Sequence, residues 1–506
     1  MNLVDLLQRN AHKFADRDCL RQGGQGITYA QVAQAAVRAA GLLQSWGVAK
    51  GDKVAIMSLN TPAFVYAFFG GQLCGAAVVP INHKLMAPEV DYILGHSEAK
   101  VYLYDGALAP VAEKLAHAGK KASLDTAVAG VPHFDALLAD APQPRPAPLE
   151  EHDLAEILYT SGTTGKPKGC LHTHQNVVMA GITGAMAMKM DQHDRLLMAM
   201  PIWHSSPLNN WFIGALYMGA TTVLLREYHP LHLLHAVQDE RCTVYFGPPV
   251  SYLAPLQMIP TFADFDLSSM RCWIYGGGPI AADVARRLIV AYKSDRFYQV
   301  YGMTESGPTG ATLFPEEQIE RAGSIGRTAL PGADIRVVKS DGSQAGPGET
   351  GEIWLKADSM MEGYFKDEAA TRAAFSDDWY KTGDVARVDE AGYLYIVDRT
   401  KDIIITGGEN VYSKEVEDAL ASHPQVVEAA VIGKPHPEWG QTVVAMVVPA
   451  KDSSLSEEAL KEHLAARLAK YKIPREFKLV EALPRTPTGK VMKYKLREEM
   501  LCSTFC

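Results

Sequence analysis

The chain has 506 residues, 47% hydrophobic and 21% charged, a length and balance that suit a folded protein of several domains and exclude a peptide module, a fibre or a disordered chain. Its 49 basic and 58 acidic side chains give a net charge of -9, which offers no general attraction to nucleic acid or anionic membranes. Seven cysteines, at 19, 74, 170, 242, 272, 502 and 506, form no CxxC pair and imply reduced thiols and a cytoplasmic location.

Asp5, Arg9 and Lys13 lie in the first amphipathic turns, so no secretory signal is expected there. Thr28 with Gln31 makes a capping box for a helix that stops at Gly47, followed by a strand at 54–59. The uncharged stretch 54–83 is long enough to span a bilayer. It reads otherwise: Pro62 opens a helix, Gly70, Gly71 and Gly75 break it, and AAVVPI is a second buried strand. Further strands are expected at 101–104, 156–159, 196–200, 222–225, 243–246, 272–275 and 298–301, alternating with helical patterns. Such alternation implies layered α/β architecture with mostly parallel sheets. The Pro-rich run APQPRPAP at 141–148 reads as a stiff surface linker. After Gly332 the texture changes to hairpins, through ADIRVV, the turn Asp341-Gly342, GEIWL and VARVDEAGYLYIVD, so a small β-rich subdomain is expected. From Lys401 a helix at 413–421, strands at 426–432 and 443–448, an amphipathic helix at 457–470 and a basic tail predict a separate α+β domain.

The strongest chemical signal is YTSGTTGKPKG at 159–169, directly after an apolar strand. Its glycines and hydroxyl residues expose N–H and O–H donors, and Lys166 and Lys168 add positive charge, which together suit a polyphosphate. A Walker loop needs GxxxxGK[ST], whereas here Thr160 stands where the first Gly should be and Pro167 follows Lys166. His229, His232 and His235 invite a zinc reading, but spacings of three and six spread side chains around a helix and no HExxH occurs.

The loop at 159–169 resembles the signature of the adenylate-forming superfamily, which includes acyl-CoA synthetases, adenylation domains and luciferase. The likeness covers nearly the whole chain, because PIWH at 201–204, YGGGP at 275–279, VYGMTE at 300–305, WYKTGD at 379–384, DRTKD at 398–402, GGEN at 407–410 and PRTPTGK at 484–490 follow in family order. It implies a large N-terminal domain of layered α/β subdomains plus a β-rich subdomain over 1–398, a hinge at 399–401 pivoting on Lys401, and a mobile α+β domain over 402–506.

The resemblance also implies roles. Thr160, Ser161, Gly162, Thr163, Thr164, Gly165 and Lys168 would hold the phosphates; Gly276, Gly277, Gly278, Pro279 and Tyr301 the adenine; Asp384 and Arg399 the ribose; and Gly302 and Met303 would also contact the nucleotide. Thr304 is assigned to the α-phosphate, and Thr160 with Glu305 to Mg²⁺, for which a carboxylate and a hydroxyl are hard oxygen ligands. Lys490 is the mobile cation that lets carboxylate and phosphate meet, two anions that otherwise repel. His204 lines the acyl pocket near the carboxylate, with Trp203, Asn209, Trp211, Gly277, Gly302 and Gly307 as neighbouring candidates by adjacency to the motifs. Gly407 and Gly408 would face the pantetheine arm of coenzyme A after the small domain rotates.

The expected activity is an AMP-forming carboxylic acid–CoA ligase using MgATP and CoA, acting on a medium- or long-chain fatty acid. An aryl or small functionalised acid is the alternative, because Leu208 stands where some long-chain relatives carry an aromatic gate and Asn209 and Asn210 add polarity. A stand-alone adenylation enzyme loading a carrier protein and a luciferase-like oxidase are rivals within the superfamily; a γ-phosphotransferase and a non-catalytic nucleotide-binding module are rivals outside it. No nucleic acid or membrane span is expected, and a homodimer is compatible with the reading.

Overall fold

The computed structural model describes residues 1–117, 119–160, 167–278, 280, 282–406, 409–437, 439–451, 453–485 and 491–502, with the side chains of 501 and 502 excepted. Contacts divide the chain into two units, residues 1–335 with 355–381 and residues 336–354 with 382–506.

The first unit is built on two large sheets. One runs Thr328–Ala329, Ala311–Leu313, Phe297–Tyr301, Cys272–Gly276, Val244–Gly247, Arg195–Met198, Thr221–Leu224, Asp18–Gln22, Gln25–Thr28 in spatial order. Its six central members, from Phe297–Tyr301 to Asp18–Gln22, pair in parallel. The other runs Gly363–Tyr364, Lys168–Thr173, Leu154–Thr160, Ala77–Pro80, Lys53–Met57, Val101–Asp105, Lys120–Leu124, parallel from Leu154–Thr160 onward. Central strands such as VAIM and AVVP are apolar on both faces because helices cover both, and their side chains are buried throughout.

The helix Tyr29–Ser45 begins where expected. Gln31 N–H donates to Thr28 Oγ1 at 3.2 Å and Thr28 N–H to Gln31 Oε1 at 2.8 Å, closing the capping box. Gly70 and Gly71, expected to break the next helix, lie inside it: Pro62–Leu73 is continuous through both. The reason is packing. A Cβ on Gly70 would stand 2.6 Å from Ala39 Cβ of Tyr29–Ser45, and one on Gly71 would stand 2.9 Å from Val78, so these glycines let a helix approach its neighbours closely. Gly75, with φ +71°, does mark the turn beyond the helix. The Pro-rich run 141–148 is strapped to the first of these helices. Gln44 donates to and accepts from the Arg145 backbone at 2.8 Å each way, and a Cβ on Gly41 would collide with the Pro142 carbonyl.

The strand Trp379–Val388 begins in the first unit and continues into the second, where it pairs antiparallel with Leu394–Arg399, Asp384 directly opposite Arg399. A second sheet runs Glu409–Val411, Ile404–Thr406, Gly440–Pro449, Val426–His436, with Glu476–Leu479 parallel to Gly440–Pro449. Helix Ser413–Ala421 matches the expected span. The helix expected to reach Lys470 is Glu457–Ala465, because its buried stripe ends at Leu464 and the chain then turns towards Lys470–Lys472 and the edge strand. Among the described residues, no helix is long and apolar enough to cross a membrane.

Candidate functional site

The glycine-rich loop spans two strand ends. Leu154–Thr160 and Lys168–Thr173 form an antiparallel hairpin in which Thr160 pairs with Lys168, and Thr160 Oγ1 donates to the Lys168 carbonyl at 3.5 Å. A Walker loop leads from strand into helix; this one returns as a strand, which sets it apart structurally as well as by sequence. Lys168 Nζ sits 4.9 Å from the ring centre of Tyr364, a cation over an aromatic face. Ser161, Gly162, Thr163, Thr164, Gly165 and Lys166 lie outside the described residues, as do Pro279, Gly407, Gly408 and Lys490.

Thr304 and Glu305 form a short turn after Phe297–Tyr301. The Thr304 hydroxyl is 3.0 Å from Ser205 Oγ, and its carbonyl accepts from His172 Nε2 at 2.9 Å. Glu305 accepts from the Tyr364 hydroxyl at 3.1 Å, which in turn lies 3.3 Å from Tyr380 Oη. Burial first, and then the Glu305 charge, raise both phenols well above their ordinary range, so they remain neutral donors beside that carboxylate. Tyr301 ends its strand with 9% of its surface exposed. Gly277 takes φ +73° in open space, whereas a Cβ on Gly276 would stand 2.6 Å from Val300 O and one on Gly302 2.4 Å from Pro308 O. Close backbone approach therefore explains Gly276 and Gly302, and left-handed conformation explains Gly277. Gly307 needs both, at φ +67° and with Ser359 O 2.4 Å from where a Cβ would stand.

The segment after PIWH departs from ordinary helix. Residues Ser206–Phe212 form a π-helix that continues as the helix Ile213–Met218, a form that occurs often at functional sites. His204, just before it, is exposed. Trp203 donates its indole N–H to His83 Nδ1 at 2.8 Å, and burial, helped by Lys84, lowers the His83 pKa to about 4. Leu208 is fully buried. Trp211 stacks on Phe246 at 5.4 Å and donates to Ser206 Oγ at 3.1 Å. The amide groups of Asn209 and Asn210 turn inward: Asn209 Nδ2 donates to Glu156 Oε1, and Asn210 Nδ2 to the carbonyls of Ala180 and Gly307. Glu156 is wholly buried in the strand Leu154–Thr160, and burial raises its pKa to about 7 against the opposing pull of Asn209.

In the second unit Asp384 and Arg399 meet, with Arg399 Nε 2.8 Å from Asp384 Oδ1. Gly383 turns at φ +73° and donates its N–H to Glu352 Oε1 at 2.9 Å. Lys401 lies in the turn Thr400–Asp402, where Arg497 of the helix Lys493–Cys502 donates to Asp402 Oδ1 at 2.5 Å. His229 and His232 do adjoin, at 4.6 Å between rings, because residues three apart share a helix face; His235 faces away, against Phe265 and Asp239. Among the described residues no three His, Cys, Asp or Glu side chains gather as a metal site. Cys19, Cys74, Cys170, Cys242 and Cys272 are buried thiols, and burial raises all five above the ordinary thiol range.

Sequence reasoning missed His172, Ser205, Tyr364 and Glu156. Tyr380 stands in the quoted WYKTGD motif and was within reach; the others show their partners only once the chain has folded.

Residues 7–365 match the family model described as AMP-binding enzyme, and residues 415–490 that of the AMP-binding enzyme C-terminal domain. The long-chain-fatty-acid–CoA ligase FadD13 of Mycobacterium tuberculosis is 37% identical over 474 residues, covering 94% of this chain and 93% of that protein. A feruloyl-CoA synthase of an Amycolatopsis species is 36% identical over 492 residues, 97% of each chain. The solved o-succinylbenzoate CoA synthetase of Bacillus subtilis, in complex with its acyl-adenylate intermediate, superposes with a TM-score of 0.87 at 31% identity and 97% coverage of both chains. The chain belongs to the AMP-binding enzyme family and is an AMP-forming acyl-CoA synthetase of the adenylate-forming superfamily.

Proposed function

We propose that this ligase activates a carboxylic acid with an apolar body, a medium- or long-chain fatty acid, in a reducing cytoplasm. The observation that carries this reading is the inward turn of Asn209 and Asn210. Their donors are engaged with Glu156, Ala180 and Gly307, which leaves Trp203, Trp211 and Phe246 as the chemistry offered to an acyl group. The Trp211–Phe246 stack supports a second reading, an aryl acid inserted along flat aromatic faces.

In the first half-reaction a carboxylate oxygen attacks the α-phosphorus of ATP, and the bond to pyrophosphate breaks. In the second, the CoA thiol sulfur attacks the acyl carbon, the proton leaves sulfur, and AMP departs with the C–O bonding pair. The hairpin loop from Thr160 to Lys168 holds the phosphates, Thr304 meets the α-phosphate, and the glycines around 276–278 with Tyr301 receive adenine. Asp384 and Arg399 bind the ribose hydroxyls as acceptor and donor. Glu305 and Thr160 are oxygen donors that fit Mg²⁺, and Tyr364 already orients one Glu305 oxygen. Mg²⁺, when bound there, neutralises phosphate charge. Lys490 supplies the movable ammonium, Lys401 the pivot, and Gly407 with Gly408 a path for pantetheine.

A panel of medium- and long-chain fatty acids beside hydroxycinnamic, indolyl and benzoyl acids tests the reading, scored by acid-dependent AMP release with and without CoA. A fatty acid should show kcat/KM at least roughly tenfold above any aryl acid, with CoA accelerating AMP release. An aryl acid ranking first would replace the fatty-acid reading, and indifference to CoA would remove CoA as acceptor.

A further inference from the structure

Three buried acceptors without a donor gather beside the loop that carries Thr304: Glu156 Oε2, Asn209 Oδ1 and His172 Nδ1. Glu156 and His172 are direct cross-strand partners in the hairpin, so their side chains leave the sheet on the same face, and both are wholly buried. Asn209 reaches that face from the π-helix and gives its N–H to Glu156 Oε1. His172 Nε2 must carry its proton to donate to the Thr304 carbonyl, so in the neutral ring Nδ1 is an acceptor. An ionised Glu156 would place a charge among acceptors with one amide donor to meet it, an expensive arrangement in a dry interior. A neutral carboxylic acid supplies the donor that the cluster lacks.

Two arms reach Thr304. Glu156 holds Asn209, in the middle of Ser206–Phe212, and Ser205, next to the head of that π-helix, touches the Thr304 hydroxyl; His172, paired with Glu156 through the backbone of the hairpin, holds the Thr304 carbonyl. We propose that Glu156, carried as the neutral acid, and its partners Asn209 and His172 are positioning residues that fix Thr304 for attack on the α-phosphate. None touches the reacting atoms; they act through Thr304. The proposal rests on the adenylation reading above. Other titratable groups near this face do not compete for the role. Cys170, on the same side of the hairpin, stays a neutral thiol, and His172 and His174 stay neutral imidazoles under burial; Glu305 and Lys168, the charges that act on Cys170, are engaged with the Tyr364 hydroxyl and ring. The strand Ala77–Pro80 and the π-helix bring no ionisable side chain.

Infrared difference spectroscopy on the full chain, wild type minus E156Q at about pH 5.5, below the value of about 7 to which burial raises Glu156, tests the protonation directly, because a buried protonated carboxyl shows a C=O stretch separate from carboxylate bands. The expected result is that band in the wild type and its loss in E156Q. The positioning role is tested by pyrophosphate exchange. E156L, which cannot hold Asn209, should lower kcat by roughly 10²-fold with KM for ATP little changed, the signature of misplaced reacting groups. E156Q keeps the hydrogen-bonding shape of the neutral acid and should restore the rate to within about threefold of wild type, well short of the loss that misplacement brings. E156Q as impaired as E156L would mean that the carboxylate is required and would overturn the proposal. Absence of the band would do the same whatever the reaction, so that failure is distinct from failure of the adenylation reading; should E156L not fold, the spectrum and E156Q still decide.

Discussion

Lys490 ends the run PRTPTGK in a tail that also holds Lys493, Lys495 and Arg497, and its neighbours show how differently such cations behave. Lys493 pairs with Glu417 at 2.7 Å and Arg497 with Asp402, so both have structural partners within the second unit. Under the proposed mechanism Lys490 is the one that meets the reacting anions. Lys490→Ala should lower pyrophosphate exchange by roughly 10²–10³-fold, the loss typical of a removed transition-state donor, while thioester formation from supplied acyl-adenylate is unchanged. Equal loss of both half-reactions would remove the assignment. At this scale motif order in the sequence names residues that the fold brings together, as with Asp384 and Arg399, set directly opposite one another; their ribose role belongs to the proposal. The sequence was least legible where a polar side chain chooses between solvent and interior. Nothing local says that Asn209 and Asn210 turn their amide donors inward, or that Glu156, one letter of a strand, meets Asn209.

Elements were legible where capping and periodicity agree, as at Thr28 and Gln31, and misread where a glycine serves packing. Two glycine substitutions separate the cases. Gly70→Val should destabilise the protein by about 2 kcal/mol, because overpacking a filled helix contact costs more than the roughly 1 kcal/mol that leaving glycine gains; the nearest obstacle is Ala39 Cβ, 2.6 Å from any added Cβ. Gly95→Ala, in the helix Ala87–Ser97 with nothing within 4 Å of an added Cβ, should instead stabilise by up to about 1 kcal/mol. Urea denaturation of both variants checks the pair, and a shared sign would contradict the packing explanation. The π-helix Ser206–Phe212 lay beyond sequence reading, since a widened turn depends on what its side chains find around them: here Glu156 for Asn209 and Phe246 for Trp211.

For the molecule as a whole, titration of buried groups should shape stability in acid. His83, His172 and His174 are each held down to about 4 by burial. As pH falls through 6.5 the unfolded chain takes up protons that the folded chain refuses, so stability drops with falling pH. Glu156, raised to about 7, acts oppositely: its contribution is present below 4.5 and lost as pH rises through 7. Among these four groups three imidazoles outweigh one carboxyl between about 4.5 and 6.5, so together they lower stability as pH falls through that window. Urea midpoints of the wild type and of His83→Gln at a series of pH values test this: the variant should lose less stability on acidification, and equal losses would show that His83 is protonated when folded. A second prediction concerns the proposed pivot. Lys401→Pro restricts the backbone there and should slow CoA-thioester formation far more than pyrophosphate exchange; parallel loss would place the pivot elsewhere. Contacts group residues 336–354 with 382–506, a partition that depends on strand pairing between distant segments and is not readable from sequence order.

The stretch that bears Asn209 and Trp211 lies against glycine on its far side. An added carbon on Gly181 would stand 2.8 Å from Ile213 Cγ2 and 3.1 Å from the Asn209 carbonyl, one on Gly184 2.7 Å from the Asn210 carbonyl, and one on Gly214 2.8 Å from the Gly181 carbonyl, so glycine lets the two backbones lie close together. If the acid lies along Trp211 and Phe246 as proposed, a protein engineer who wishes to admit a bulkier one gains little by trimming behind that partition, and room comes from trimming Trp211 or Phe246.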